Sequence, residues 1–571
     1  MLQWRQVVVR GIEVHWARLT VISVSFVAGI WFLSPERILP TSVDWLDVGD
    51  LEVAQNVWRY FRNTSFSQWP LAKVPLYGRG WGDLPHAGQS GLFFALPFKF
   101  MSALLPSNFQ YFGILILTNF VLHGFFSEQL FRKFGLSSWE RILGSCALLL
   151  APAFVFRIGM MHPVLSAHWL ILAAISVYFK DEGPNRVRLQ FLLPVMSLFF
   201  GIYLFVMVFA VSVMGLLVGH VSTRSKVRWN PSDLLNVLKL GAASLAVWWA
   251  IGYHAFIGSS EGVGFFRLNG LAFINPDFGG AQSYSLIIGN IPFVRNRAFF
   301  AEEGEGFLFL GIIGVIGALN LVALAIRRQQ QQLRVSNWKP LVVLSLVFLM
   351  IAVSHKVVFA RTELSIPVPQ LLVDTRQTFR AATRFGWLPY YLTLIFGWAA
   401  TSIALRRTRL RSLLLVLLVF VGFIDQWKGV SEVRKVFDNS SVASKTLLTS
   451  EWRDLGTKVD SIYLAPTFDL LDDDLPPEAR YWLEDEKWRS LVRFGAEFNL
   501  ATNFAYVGRP VTRQVDRANS YLEGAFADQV LPRKSILFFA SEEKWTTVQR
   551  TLRTGDSARR LGDFFIIVTG D

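Results

Sequence analysis

Acidic side chains stand near the start of a long polar segment, residues 35–108. Asp47 and Asp50 are three residues apart, and Glu52 follows closely. The spacing of apolar residues after them predicts a helix at about 51–62, with Asp50 at its mouth. A carboxylate in that place can simply cap the helix. It can also act as a general base on an acceptor hydroxyl or as a metal ligand.

Three arginines recur every four residues within a second polar segment, 355–391: Arg376, Arg380 and Arg384. In a helix this spacing places all three side chains on one face. The planar guanidinium group binds phosphate through paired hydrogen bonds, so the row predicts an anion site just before Trp387. A basic helix lying on anionic lipid would have the same spacing.

A third set of polar residues lies between two apolar runs, in the stretch RIGMMHPVLSAHW. Ionisable residues at a membrane boundary are functional candidates, which singles out Arg157, His162 and His168. The histidines are six residues apart and do not share a helix face, so a two-histidine metal site is not expected. We predict instead that these residues bind phosphate or sugar hydroxyls. A structural role beside Trp169 is the alternative for His168.

Other polar features indicate less chemistry. The glycine-rich stretch around 257–304 ends near the acidic residues Glu302, Glu303 and Glu305, and we expect a solvated loop that could cover a site. The sequence has no phosphate-binding G-x-x-x-x-G-K-[ST] loop, no G-x-G-x-x-G after a strand and no H-E-x-x-H. An enzyme of this sequence would therefore draw on an already activated, membrane-borne donor.

The composition requires a membrane around these residues. Of 571 residues, 52% are hydrophobic and only 17% are charged, and mean hydropathy is +0.38. Ordinary globular chains carry about 25% charged residues, so this composition rules out intrinsic disorder and argues against a wholly soluble enzyme. The single cysteine, Cys146, excludes an internal disulfide and a cysteine-ligated metal.

The hydropathy pattern predicts a polytopic transmembrane helical bundle. Residues 1–18 are basic, 19–34 are apolar, and no small-residue cleavage site follows, which predicts an uncleaved first span with a cytoplasmic N-terminus. A cleaved signal peptide is the alternative. Ten further apolar runs bring the predicted count to about eleven, with 189–220 forming two short spans or one tilted helix. These runs lie near 109–128, 142–158, 162–179, 189–201, 202–220, 234–256, 305–326, 340–355, 386–405 and 412–426.

The distribution of Lys and Arg among the loops predicts how the helices are oriented in the membrane. Lys and Arg cluster in alternate loops, which should face the cytoplasm, so the net charge of +14 indicates membrane topology and does not require nucleic acid. The pattern holds if 88–106, with Pro97 and Lys99, is an interfacial helix at the outer surface instead of a span. The C-terminus then lies outside the cytoplasm.

The last part of the chain is more polar. Short apolar runs at 461–466, 535–540 and 564–570 are typical of strands, and helix-like stretches lie between them. We therefore predict two domains, a transmembrane domain at 1–426 that includes the outer segment 35–108, and an extracytoplasmic α/β domain at 427–571.

The sequence resembles a known family of membrane proteins in three stretches: VDWLDVGDLEVAQNVWRYFR, HPVLSAHWLIL and FRAATRFGWLPYY. Together with the layout of 1–426, they resemble a bacterial branch of the GT-C superfamily of integral-membrane glycosyltransferases. The resemblance implies a GT-C-like fold and an inverting transfer of a sugar from a polyprenyl-phosphate-linked donor. The acceptor would be a hydroxyl of a glycan, lipid or protein, at the outer face of the cytoplasmic membrane.

The resemblance also implies roles for individual residues. Asp50, or next Asp47, would be the general base, and Arg380 and Arg384, with Arg376 beside them, would hold the donor phosphate. Many members carry D-x-D or D-E in the first loop, whereas this chain has D-x-x-D-x-x-D. The identity of the base and a requirement for a divalent cation, Mg or Mn, therefore stay open. A transporter or flippase of lipid-linked saccharides, or a non-catalytic envelope assembly protein, would share the basic loops and the surrounding membrane lipids.

Overall fold

The structure of the protein, a computed structural model, is mainly helical and has one five-stranded sheet near its C-terminus. It describes residues 2–180, 183–218, 231–256, 266–277, 283–291, 305–360, 362–369, 379, 381–438, 447, 449–469, 477–508 and 511–570.

The described helices, in chain order, are α1 (Leu2–Leu33), α2 (Pro35–Ile38), α3 (Gly49–Arg62), α4 (Leu92–Phe100), α5 (Phe112–Lys133), α6 (Ser138–Leu149), α7 (Pro152–Gly159), α8 (Trp169–Tyr178), α9 (Pro184–Ser197), α10 (Ile202–Val218), α11 (Pro231–Ile251), α12 (Gly311–Ile326), α13 (Trp338–Val353), α14 (Trp387–Ala404), α15 (Arg411–Val436), α16 (Ser450–Gly456), α17 (Pro477–Arg480), α18 (Lys487–Phe498), α19 (Thr512–Ala527) and α20 (Glu542–Gln549). The described strands are β1 (Lys356–Phe359), β2 (Thr362–Ser365), β3 (Ser461–Ala465), β4 (Ala501–Thr502), β5 (Ser535–Phe539), β6 (Ser557–Leu561) and β7 (Phe564–Val568).

The chain folds into two compact units that do not follow chain order. The helical unit contains Met1–Val43, Asn108–Val247 and Gly262–Asp438. The mixed unit contains Asp44–Ser107, Trp248–Glu261 and Asn439–Asp571. Most of the predicted outer segment thus belongs to the same unit as the C-terminal residues.

Within the described ranges, six helical stretches are long and apolar enough to cross a membrane: His15–Leu33, Phe112–Lys133, Ser138–Gly159, Pro231–Ile251, Ala382–Arg407 and Arg411–Val436. Four shorter apolar helices, α8, α10, α12 and α13, coincide with other predicted runs. The prediction of a helical membrane protein is confirmed, while the count of about eleven spans stays a prediction. The described part of the run 189–220, up to residue 218, forms two helices, α9 and α10, and not one long helix.

The stretch 88–106 contains only a short helix. Helix α4 has nine residues with Pro97 inside it, and a helix of that length rises about 14 Å. It is therefore too short to cross the ~30 Å hydrocarbon core. Its interfacial placement stays a prediction.

The helical unit is held by close contacts between apolar helices. An added Cβ on Gly397 of α14 would lie 2.8 Å from the carbonyl carbon of Gly317 in α12. The two glycines therefore let the backbones of these helices touch, as small residues commonly do between membrane helices. In the same unit, Glu128 of α5 and Arg141 of α6 form a buried ion pair at 2.8 Å.

The mixed unit contains the sheet, in the order β4-β3-β5-β7-β6. Strand β3 is parallel to β4 and β5, and β7 is antiparallel to β5 and β6. Strands β3, β5 and β7 coincide with the three predicted runs, and their buried apolar side chains explain the pattern. The prediction of a small sheet-containing domain near the C-terminus is confirmed, while its bounds of 427–571 and its place outside the cytoplasm stay predictions.

Candidate functional site

Arg157 lies in the last turn of α7, and its side chain is 1% exposed. Its Nη1 donates to Oε2 of Glu305 at 2.8 Å, and its Nη2 donates to the Glu305 carbonyl oxygen at 3.1 Å. Nη1 is also 3.2 Å from Nδ1 of His162. The structure thus brings two of the predicted site residues together around a carboxylate.

Arg384 approaches the same carboxylate from another element. It lies in the short 3-10 turn Ala382–Gly386 that precedes α14, and its Nε donates to Oε2 of Glu305 at 2.9 Å. We call Arg157, Glu305 and Arg384 the arginine–glutamate cluster. It forms where helices begin or end, since Arg157 closes α7, Glu305 precedes α12 and Arg384 precedes α14.

Aromatic rings surround the cluster. The guanidinium of Arg157 lies 5.3 Å from the ring centre of Trp387, and that of Arg384 lies 4.8 Å from the ring centre of Tyr203. Such cation–π contacts hold planar cations without neutralising them. The two side chains are therefore fixed in direction while they keep their charge.

The electrostatics of the cluster favour a charged Glu305. Burial by itself raises the pKa of this carboxyl, but the adjacent guanidiniums of Arg157 and Arg384 outweigh it and hold the pKa well below its ordinary value. Two permanent positive charges then face one negative charge. The cluster thus concentrates two guanidiniums in one place, and guanidiniums are the groups that bind anionic ligands such as phosphate.

His168 is placed differently from the other predicted residues. It is fully buried at the start of α8, its Nδ1 lies 2.7 Å from the Tyr391 hydroxyl, and its ring centre lies 4.3 Å from that of Trp387. It touches the ring that Arg157 covers. This arrangement fits the structural alternative, with His168 holding Trp387 in place.

Arg376 and Arg380 lie outside the described residues. Of the predicted arginine row, the structure therefore describes only Arg384, and that residue is in a 3-10 turn. Sequence reasoning missed Glu305, which was expected in a solvated loop. Its side chain is 12% exposed and forms both ion pairs. The one signal available was its place just before the apolar run FLFLG.

The acidic residues of the first segment lie in the mixed unit. Helix α3 begins close to the predicted position, with Val48 at its N-cap and Asp50 in its first turn. Asp50 is therefore not the capping residue, although a carboxylate in the first turn is favoured by the helix dipole. Asp50 is partly buried, whereas Asp47 is 5% exposed.

Helix α18 faces these acidic residues with charged side chains four residues apart. Arg493 Nη1 lies 2.5 Å from Asp47 Oδ2, and Arg489 Nη1 lies 3.4 Å from Glu52 Oε2. The third pair joins Arg59 of α3 to Glu497 at 3.4 Å. We call these six residues the ionic layer. Sequence reasoning did not single out the three members from α18.

Glu52 has an unusual protonation equilibrium. Burial raises its pKa from 4.5 to about 7, and the nearby charge of Asp47 adds to this effect, while Arg489 and Arg493 oppose it. A carboxyl with such a pKa can exchange a proton near neutrality. Only 3% of Glu52 is exposed, so it would do so inside the layer.

The sequence does not decide whether the protein requires a divalent cation, Mg or Mn. Among the residues that the structure describes, no three His, Cys, Asp or Glu side chains are grouped so that they could hold a metal ion. The described residues thus do not form a ready site for Mg or Mn, and we derive no step through a metal.

The described chain has several helices that are long and apolar enough to cross a membrane, and a sheet-containing domain near its C-terminus. These features place it in the class of polytopic membrane proteins with a terminal domain. The chain belongs to the family described as Domain of unknown function (DUF6311), whose model matches residues 22–427. The model described as DUF6311 C-terminal domain matches residues 451–569. A comparison with curated proteins gives no match.

Among solved structures, the chain is similar to the oligosaccharyltransferase of Archaeoglobus fulgidus, crystallised with an acceptor peptide containing the NVT sequon tethered through a disulfide bond. The TM-score is 0.45 at 10% sequence identity, and the match covers 91% of this chain and 68% of the other.

Proposed function

We propose that the protein is a membrane glycosyltransferase that moves a sugar from a polyprenyl-phosphate-linked donor to an acceptor hydroxyl, with inversion. The arginine–glutamate cluster carries this proposal. A polyprenyl phosphate combines a long apolar tail with an anionic head, and the cluster places two guanidiniums at the ends of apolar helices. Arg384, with Arg380 and Arg376, would hold the phosphate, and Arg157 and His162 would bind phosphate or sugar hydroxyls.

The proposed reaction needs a base and an anion site. The carboxylate of Asp50 takes the proton of the acceptor hydroxyl, and the acceptor oxygen forms a bond to the anomeric carbon. The bond from that carbon to the phosphate oxygen breaks, and its electron pair leaves with the phosphate. Fixed guanidiniums stabilise the charge that develops there. Asp47 is the weaker candidate for the base because it is buried against Arg493.

The proposal includes a location. The reaction would take place at the outer face of the cytoplasmic membrane, with the N-terminus inside and the C-terminal domain outside. The basic clusters of alternate loops support this orientation. The acceptor would be a glycan, a lipid or a protein.

Replacing Asp50 by Asn tests the base. The change keeps the shape of the side chain but removes its ability to take a proton, so we expect product formation to fall by about 10²–10⁴-fold. Binding of the polyprenyl-phosphate sugar should be unchanged. Both are measured with purified protein in lipid nanodiscs. The matched control is Asp44→Asn, at an exposed position six residues earlier, which should keep full activity. Full activity of Asp50→Asn would remove Asp50 from the reaction.

Replacing Arg384 by Ala tests the anion site. A hydrogen bond to a charged group contributes about 1.5–3 kcal/mol, so donor affinity should fall by about 10- to 100-fold. Binding of polyprenyl phosphate is measured by calorimetry, with the uncharged polyprenol as comparison. The exposed Arg409 provides the control variant Arg409→Ala, for which no loss is expected. Equal affinity of the Arg384 variant for donor would refute the phosphate role.

A further inference from the structure

The first polar segment and the C-terminal domain are joined by main-chain hydrogen bonds. The Thr502 N–H of strand β4 donates to the Leu76 carbonyl at 2.8 Å, and the Arg79 N–H donates to the Thr502 carbonyl at 2.6 Å. The Tyr60 hydroxyl of α3 donates to the Leu500 carbonyl at 3.0 Å. Segment 44–107 is therefore built into the fold of the C-terminal domain.

Helix α18 comes unusually close to α3. An added Cβ on Gly495 would lie 2.3 Å from the hydroxyl of Tyr60, a side chain that is 1% exposed. Only a glycine allows this approach. The charged side chains of α18 at 489, 493 and 497 lie on another face of the helix, where they form the ion pairs with Glu52, Asp47 and Arg59.

Arg489 contacts the chain both before and after Asp50. Its Nη1 donates to the Gly49 carbonyl at 3.0 Å and lies 3.4 Å from Glu52 Oε2. Gly49 directly precedes Asp50, and Glu52 follows it by two residues. One guanidinium thus fixes the main chain before Asp50 and the side chain after it.

Arg493 fixes Asp47, which lies three positions before Asp50 in the sequence. Its side chain and that of Asp47 are each 7% exposed, and their charged atoms are 2.5 Å apart. A buried ion pair with one member removed leaves an uncompensated charge, which is strongly unfavourable. The conformation of the chain from Asp47 to Glu52 therefore depends on two arginines supplied by the C-terminal domain.

We propose that Arg489 and Arg493 are positioning residues, which set the orientation of Asp50 by holding Gly49, Glu52 and Asp47. The C-terminal domain is then a structural part of the reaction centre and not a separate acceptor-binding module. The catalytic consequence of this inference rests on the proposed function. The positioning itself does not, and it can be measured without activity.

Hydrogen–deuterium exchange of the full-length protein measures the positioning. Arg489→Ala and Arg493→Ala should increase amide exchange in residues 44–62, while exchange in strands β5 and β7 stays as in the wild type. The matched control is Arg550→Ala, at an exposed position at the end of α20, which should change neither region. Unchanged exchange in residues 44–62 of both variants would overturn the proposal, whatever their activity.

A charge exchange measures the catalytic consequence. Asp47→Arg and Arg493→Asp should each lower product formation by about 100-fold, since small displacements of a reacting group cost that much. The double variant Asp47→Arg with Arg493→Asp restores opposite charges across the pair, and we expect activity within a few fold of the wild type. Arg493→Lys should retain partial activity for the same reason.

The outcomes separate the two proposals. A folded double variant without any recovery, together with normal exchange in residues 44–62, would mean that Asp47 is itself the base and would overturn the positioning role of Arg493. If Asp50→Asn is fully active while the exchange results are as expected, the proposed function fails and the positioning of the segment stands.

Discussion

Replacing Glu305 by Ala should destabilise the helical unit by about 3–5 kcal/mol, the cost expected when one member of a buried ion pair is removed. The loss should be large because Glu305 balances two guanidiniums at once, those of Arg157 and Arg384. The Arg157 side chain is 1% exposed, so water cannot replace the lost carboxylate. The measurement is the thermal unfolding midpoint of the protein in detergent.

A more exposed ion pair in the same unit provides the control. Glu363 lies 2.8 Å from Arg267, and its side chain is 30% exposed. Glu363→Ala should therefore cost no more than about 1 kcal/mol. Adding Arg157→Met to Glu305→Ala should recover part of the loss, because it removes one of the two guanidiniums that had Glu305 as an ion-pair partner. Equal losses for Glu305→Ala and Glu363→Ala would show that the cluster is not a buried charge system.

Stability of the mixed unit should fall as pH rises from about 4.5 to 7. The folded pKa of Glu52 is raised to about 7 from its ordinary value of 4.5, chiefly by burial. A carboxyl with a raised pKa contributes its full stability below the unfolded pKa and loses it as pH rises through the folded pKa. One pKa unit corresponds to about 1.36 kcal/mol, so ionisation of Glu52 should cost about 3 kcal/mol by pH 8.

The variant Glu52→Gln isolates this effect, because it cannot ionise. Between pH 5 and pH 8, the unfolding midpoint of this variant should change less than that of the wild type, and the variant should be the more stable protein at pH 8. Glu451→Gln, at an exposed position in α16, is the control and should follow the wild type. Parallel curves for Glu52→Gln and the wild type would contradict the raised pKa.

Local sequence patterns predicted the elements that have strong local signals. Helix α3 was expected at 51–62 and runs from Gly49 to Arg62, because its apolar residues recur at helical spacing and pack inward. Strands β3, β5 and β7 were found from their apolar runs. Strand β4 has only two residues, and a strand of that length leaves no periodicity to detect.

The contacts of the candidate site could be predicted only in part. Arg157 and His162 are predicted as ionisable residues at a membrane boundary, and Arg384 as part of a row of arginines. The structure places Arg157 and Arg384 on one carboxylate, with His162 beside Arg157. Glu305 itself was not chosen, because an acidic residue in a glycine-rich stretch resembles any solvated turn. The chemical roles of these residues stay predictions.

The ionic layer could not be predicted because its members are far apart in the chain. Glu52 and Arg489 are separated by 437 residues, and neither carries a local sign of its partner. A row such as Arg489, Arg493 and Glu497 on one helix is usually an exposed face. What distinguishes it here is the set of partners, Glu52, Asp47 and Arg59, which only the tertiary fold brings to it.

The same separation has a consequence for biosynthesis. Tyr60 donates to a carbonyl 440 residues further along the chain. Ribosomes add about 5–20 residues per second, so roughly 20–90 seconds pass between synthesis of the two partners. During that interval α3 lacks its contacts with α18, and side chains that are buried there in the folded protein, Arg59 and Tyr60, are accessible to proteases and chaperones. The exposure of the nascent protein to quality control therefore depends on the time between the synthesis of α3 and the synthesis of α18.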